Sequence, residues 1–468
     1  MRQELLELLE PWGQEHLLRF WDQLTAPQQT SLAAQIRELD LPLVRQLHLL
    51  RDRQGESGAE ESPAARARGP RQLLRLAELV QNDLGKQARE AGAALLRSGA
   101  VAAILVAGGQ GSRLGFDGPK GTFPIGPVSR RSLFQVLAEQ LLARSRRAGG
   151  SIPLLIMTSA ATHAETVRYF SEHRYFGLPA DEVHFFQQAS LPALEADSHR
   201  IVLSAPDAIA LSPDGHGGVL RALRNAGLLD RMQDRGIQHF YYHQVDNPTA
   251  IVCDPVFLGL HALQESRMST KVVAKTHPHE KMGVVVDLDG QTQIIEYSDL
   301  SPSDATRVDE QGAPIFWAGN TAIHAFQLAF LQELAAEGGG LPFHIAFKPV
   351  TKVRDDGEIE PAHPERPNAH KFEQFIFDAL PRAERALVVE ADRQREFNPV
   401  KNHSGADSPE TCRAALRRIA REWIETCGGR VADGVSVEIS PLVALDAQDL
   451  QGKLLPGQEF SVDTVLGP

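Results

Sequence analysis

Between Ala107 and Gly121 the chain reads Ala107-Gly108-Gly109-Gln110-Gly111-Ser112-Arg113-Leu114-Gly115-Phe116-Asp117-Gly118-Pro119-Lys120-Gly121. Glycines let a backbone approach a ligand closely, and successive N–H groups in such a loop form an anion-binding concavity. Arg113 and Lys120 add two cations, so the ligand this loop suits is a polyphosphate. Two familiar glycine loops are excluded. A P-loop needs Ser or Thr after its lysine, and Lys120 stands between Pro119 and Gly121. A dinucleotide fingerprint needs G-x-G-x-x-G, and Gly109, Gly111 and Gly115 are spaced one residue too far.

Other chemistry-bearing residues stand where apolar runs end. Val245-Asp246-Asn247 closes the run 238–245, and a carboxylate at a buried strand's tip can hold Mg²⁺, which takes one or two carboxylates with phosphate oxygens and water. Gln187-Gln188 follows Val183–Phe186, and a side-chain amide offers the donor and acceptor needed to read a base edge. Asp214-Gly215-His216-Gly217-Gly218 opens a helical pattern, where glycines again permit close approach to a ligand. Glu296-Tyr297 ends another run, and Gly319-Asn320 follows Ile315–Ala318. Lys371 and Lys401, taken alone, read as solvated surface lysines.

The elements needed to position these groups follow from periodicity. Val101–Ile104 is apolar without alternation, as suits a buried parallel strand, and Leu133, Val136, Leu137, Leu141 and Leu142 recur at helical spacing after it. Strands are expected at 152–157, 183–186, 238–245, 271–274 and 284–287. Asp289-Gly290 is expected to turn the last of these into a strand over 292–297. Thr162 and Glu165 predict a capping box, and Leu73, Leu74, Leu76 and Leu79 predict a helix. Alternating strands and helices imply an α/β fold with a doubly wound, mixed, Rossmann-like sheet. The expected organisation is a helical region over 1–100, with Pro27 at a helix start and a mobile connector near 52–70. A catalytic domain over 101–390 follows, then a small β-rich domain over 391–468 with a helix at 409–426 and short apolar runs at 435–439, 442–445 and 460–465.

The 468 residues are 42% apolar and 23% charged, ordinary for a globular enzyme, and long enough for two or three domains. A net charge of −12 argues against nucleic-acid binding, so an anionic substrate needs a local basic site. Cys253, Cys412 and Cys427 lack metal spacing and suit a reducing cytoplasm. Neither a signal peptide nor a membrane-spanning apolar run is evident, and no membrane partner is expected.

The glycine loop resembles the signature of eukaryotic-type UDP-N-acetylhexosamine pyrophosphorylase and its relative UTP–glucose-1-phosphate uridylyltransferase. The resemblance continues in Gly13–Trp21, Phe185-Phe186-Gln187-Gln188, Pro213–Gly218, Val245–Asn247, Lys371–Asp378, Phe397–Asn402 and Glu438–Leu442. It implies a nucleotidyltransferase that makes UDP-sugar and pyrophosphate from UTP and a sugar 1-phosphate, with Mg²⁺ as cofactor. It implies nucleotide contacts at Ala107, Gly108, Gly109, Gln110, Gly111, Gln188, Gly215, His216 and Lys371. Arg113, Lys120 and Lys401 would act on the phosphates and Asp246 would hold the metal. Gly283, Glu296, Tyr297 and Asn320 would line the sugar. The implied sugar is N-acetylglucosamine or N-acetylgalactosamine 1-phosphate. His216, where those enzymes carry asparagine, points instead to glucose 1-phosphate or broad specificity. A catalytically dead sugar-nucleotide binder would have lost its charged residues, and Arg113, Lys120, Asp246, Lys371 and Lys401 are all present. The assembly stays open between monomer and weak dimer.

Overall fold

The computed structural model describes residues 1–56, 62–336 and 340–467. Its contacts divide the chain into two units. One comprises Met1–Glu61, Gln188–Val219 and Leu341–Ile376; the other comprises Ser62–Gln187, Leu220–Gly340 and Phe377–Pro468.

The larger unit is built on a ten-stranded mixed sheet. Its strands are β1 Leu73–Leu74, β2 Val101–Val106, β3 Leu154–Thr158, β4 Val183–Gln187, β5 His239–Gln244, β6 Met268–Ala274, β7 Val284–Leu288, β8 Gln291–Ile295, β9 Ala318–Gln327 and β10 Ala386–Glu390. They run in the order β1-β10-β6-β9-β5-β2-β3-β4, with the β7–β8 hairpin branching from β9. Strands β5, β2, β3 and β4 are parallel, and β9 runs antiparallel to both β5 and β6. Every residue of β2 from Val101 to Leu105 is buried, which is why its apolar run does not alternate. The helix Leu133–Ala148 starts on Ser132, whose hydroxyl accepts from the Gln135 N–H, and ends on left-handed Gly149. Its Leu133, Leu137 and Leu141 share a core with Leu105 and Ile156. Helices Asp83–Arg97 and Pro255–Leu263 meet backbone to backbone: a Cβ on Gly259 would lie 1.7 Å from the Ala88 carbonyl oxygen. Asp289 and Gly290 both take positive φ (53° and 89°), the geometry of a two-residue hairpin turn.

The smaller unit packs the N-terminal helices Arg2–Leu9, Ala26–Glu38 and Leu41–Glu56 with an antiparallel sheet of Phe343–Lys348, Ala369–Gln374 and Leu194–Glu195. Leu5, Leu9, Leu17, Leu32 and Ile36 form one core with Leu191, Leu194 and Phe372. Pro27 lies in the first turn of its helix.

Several local expectations change. Leu73 and Leu74 are an edge strand, parallel to Val388–Val389, and the helix begins only at Leu76. Two residues are too few to show alternation, so a distant partner decides. The capping box at Thr162 does not form, because the Thr162 hydroxyl accepts from the Ser159 N–H instead (3.1 Å). Leu17, Leu18 and Trp21 lie in or beside short 3₁₀ turns. The C-terminal strands pair as Arg430–Val431 with Glu459–Phe460 and Val437–Ile439 with Thr464–Leu466, while 442–445 holds no strand. Within the connector 52–70, residues 52–56 continue a helix. Ala64 and Ala67 are buried with Val284, Val286 and Phe316, and 57–61 lie outside the described residues.

Candidate functional site

The glycine loop leaves the carboxyl end of β2, where open α/β sheets bind ligands. It is folded on itself by two backbone bonds, Gly111 N–H to the Gly118 carbonyl (2.9 Å) and Lys120 N–H to the Gly109 carbonyl (3.0 Å). Buried Leu114 and the edge-on contact of Phe116 with Phe123 anchor its underside. The hydroxyl of Ser159, one residue past β3, donates to the Gly108 carbonyl (2.8 Å). Gly109, Gln110 and Arg113 remain exposed.

Lys120 Nζ lies 3.6 Å from Asp246 Oδ2, and both side chains are more than four-fifths buried. Asp246 reaches that place because the Val245 N–H donates to the Val106 carbonyl (3.0 Å), which carries the β5–β2 pairing one residue further. The strand tip also holds the segment 396–400. Val400 N–H donates to the Asp246 carbonyl (2.8 Å), and the Asn247 side-chain amide donates to the Glu396 carbonyl (2.7 Å). Lys401 follows directly, its ammonium 3.9 Å from Asp407 Oδ2 and over the Phe397 ring. Burial raises the Asp407 carboxyl, against the opposing pull of Lys401.

Gly283, Glu296 and Asn320 also come together. Asn320 N–H donates to the Gly283 carbonyl (2.8 Å), and a Cβ on Gly283 would lie 2.6 Å from Glu296 Oε1. Tyr297 is exposed on a 3₁₀ turn beside them.

In the smaller unit the Gln188 amide donates weakly to Asp214 Oδ1 and to the Gly215 carbonyl, both at 3.4 Å. Gly215 has φ of 83°, and a Cβ there would lie 2.4 Å from the Gln374 carbonyl, so no other residue fits the turn. His216 stacks on Phe375, and its Nδ1 accepts from the Ile376 N–H (3.2 Å). Burial first, and the neighbouring His344 second, pull the His216 pKa down to about 4. The ring is therefore neutral at pH 7, with its proton on Nε2. Lys371 lies one strand position from buried Phe372, half-buried.

The family model described as UTP–glucose-1-phosphate uridylyltransferase matches residues 69–409. The chain belongs to that family. It is 34% identical to the UDP-N-acetylhexosamine pyrophosphorylase-like protein 1 of Homo sapiens, over 99% of this chain and 97% of that one. It is 38% identical to the UDP-N-acetylglucosamine pyrophosphorylase of Saccharomyces cerevisiae, over 75% of each. Its fold matches the crystal structure of the uridine diphosphate N-acetylglucosamine pyrophosphorylase from Trypanosoma brucei. The TM-score is 0.81, with 26% identity over 97% of this chain and 94% of that one.

The family match spans every site residue named from the sequence, from Ala107 to Lys401. Sequence reading missed two features inside it. One is Ser159, whose position just past a strand end was the available signal. The other is Lys271, buried in β6 and bonded to Asp254 Oδ2 (2.7 Å) and Glu396 Oε2 (2.5 Å). A lysine within an apolar strand carries no local sign of its two distant carboxylates. No helix of the described residues is long and apolar enough to cross a membrane.

Proposed function

We propose that this member of the uridylyltransferase family joins UTP to N-acetylglucosamine 1-phosphate, releasing pyrophosphate. The observation that carries the reading is the Lys120–Asp246 pair at the mouth of the glycine loop. The sugar phosphate oxygen attacks the α-phosphorus of UTP in line; a new P–O bond forms there as the bond to the β-phosphate oxygen breaks. Phosphate oxygens are already ionised near neutral pH, so no general base is needed, and catalysis is positioning with charge neutralisation. Arg113 and Lys120 neutralise the transferring and leaving phosphates, and Lys401 draws in the incoming one. Ala107 to Gly111 and Lys371 hold the nucleotide's phosphates, and Gln188, Gly215 and His216 read uridine. Glu296, Tyr297, Asn320 and Gly283 receive the hexose.

Mg²⁺ fits the residues present. Among the described residues no three His, Cys, Asp or Glu side chains gather as a closed metal cage. A single, largely buried Asp246 suits a cation that completes its shell with phosphate oxygens and water. Bound there, the ion would supply Lewis-acid charge neutralisation to the phosphates. The three cysteines are free, which suits the cytoplasm as its compartment.

The histidine at position 216, where the acetylhexosamine enzymes carry asparagine, supports a second reading, in which glucose 1-phosphate is the acceptor. Pyrophosphate release from UTP with N-acetylglucosamine, N-acetylgalactosamine and glucose 1-phosphates decides between them. Highest kcat/KM with the first is the expected result. Equal turnover with ATP in place of UTP would overturn both.

A further inference from the structure

Arg144 is 6% exposed, yet its Nε has no hydrogen-bond partner among the described residues. The acids around it are engaged elsewhere: Asp254 with Lys271 (2.7 Å), and Asp446 and Asp449 with Arg147. Arg144 opens onto two adjoining cavities of about 430 and 630 Å³, which share Arg89, Arg144, Pro255 and Asp446 in their walls. Arg89 and Arg97 are exposed at the rim. Deeper in the second cavity, Lys271 and Arg395 face Asp254 and Glu396. The wall of the first cavity carries Arg89, Arg97, Arg144 and Arg147 against Asp446 and Asp449, four cations to two carboxylates, while the cations and carboxylates lining the second balance. A buried charge without a partner is costly, and a guanidinium presents a planar fork of donors matched to an oxyanion. Burial shifts the Arg144 pKa down, against the opposing pull of Asp254 and Asp446.

We propose that this cavity is a phosphate-binding site, with Arg144 as the inner donor and Arg89 and Arg97 at its mouth. The group it takes is a phosphate, free or carried by a small monoester, for which the space is ample. The site lies beside the helices 83–97, 133–148 and 255–263 and uses none of the glycine-loop residues.

The test uses the full-length K120A protein, so that the loop's own cation does not dominate binding. Inorganic phosphate and glycerol phosphate are titrated in thermal melts and by equilibrium dialysis in a chloride buffer. The expected result is a saturable rise of about 2 °C or more with one probe or both. Which probe binds more tightly tells free phosphate from a monoester. In K120A/R144M the rise is lost, and the anion-free melt is no lower than that of K120A, because the buried Arg144 Nε has no hydrogen-bond partner among the described residues. Ala93 lines the same cavity, so K120A/A93L fills the space, keeps Arg144 and also loses the rise. A rise that survives in either double variant overturns the proposal. So does no rise with either probe, or an R144M protein that melts far lower without anion.

Discussion

Lys120 and Asp246 form an ion pair at the mouth of the glycine loop, where each neutralises the other. Lys120→Ala is expected to lower kcat by roughly 10²–10³-fold, the scale of losing one preorganised donor, while the thermal melt stays in place. Pyrophosphate release and circular dichroism on the same sample check it; full turnover would remove Lys120 from its role. EDTA is expected to abolish turnover and Mg²⁺ to restore it. Gly283→Ala makes a narrower test. Its Cβ would press on Glu296 Oε1, the movable end of a side chain, so the fold survives. Displacing that carboxylate is expected to cost up to roughly 10²-fold in kcat/KM for the sugar phosphate, with the KM for UTP little changed.

At the scale of elements, the crossing of helices 83–97 and 255–263 depends on hydrogen atoms at two positions. Gly92 faces the Pro255 carbonyl as Gly259 faces that of Ala88, and each obstacle is backbone, which cannot rotate away. Gly259→Val is expected to destabilise by about 3 kcal/mol or more, read from denaturant unfolding, where an exposed glycine would tolerate the change. A buried histidine on each of two neighbouring elements gives a pH dependence. His243 in β5 and His261 in the helix are nearly inaccessible, and burial lowers both pKa values to about 3. Their folded pKa lies below the unfolded value near 6.5, so below that pH the unfolded chain binds more protons. Stability present at pH 7 is therefore lost as pH falls from about 6.5 toward 3, by about 1.4 kcal/mol per pH unit for each ring. Thermal melts across that range check it; a flat profile would show that the rings are charged in the folded protein.

For the whole molecule, the two units are each assembled from three separated stretches, so chain order and spatial neighbourhood part company. The N-terminal helices share their core with residues 191–209 and Phe372 rather than closing one of their own. In the larger unit the C-terminal region is tied to the chain just past the glycine loop, where Glu438 Oε2 accepts from the Val128 and Ser129 N–H groups (2.9 and 2.8 Å). Thiol accessibility reports this packing. Cys253 and Cys412 are buried, and burial pushes the Cys253 thiol up to about 12 and Cys412 higher still, while Cys427 is partly exposed. A thiol reagent is expected to label Cys427 rapidly in the native protein and all three only after unfolding. Rapid native labelling of Cys253 would show that the core beneath Arg144 opens.

What could be read along the chain was whatever neighbouring residues determine together. The β2 run, the Asp289–Gly290 turn, the 409–426 helix and the cationic glycine loop are all of that kind, since a turn or a helical face is set within a few residues. The tertiary structure alone decided the rest: the meeting of Lys120 with Asp246, the conversion of Leu73–Leu74 into a strand, the enclosure of Lys271 by two carboxylates, and the burial of an Arg144 Nε with no hydrogen-bond partner among the described residues. Each depends on which distant segment arrives at a given strand end or helix face. That is fixed by the order of strands in the sheet and by the volume left between packed helices, neither of which has a period in the sequence.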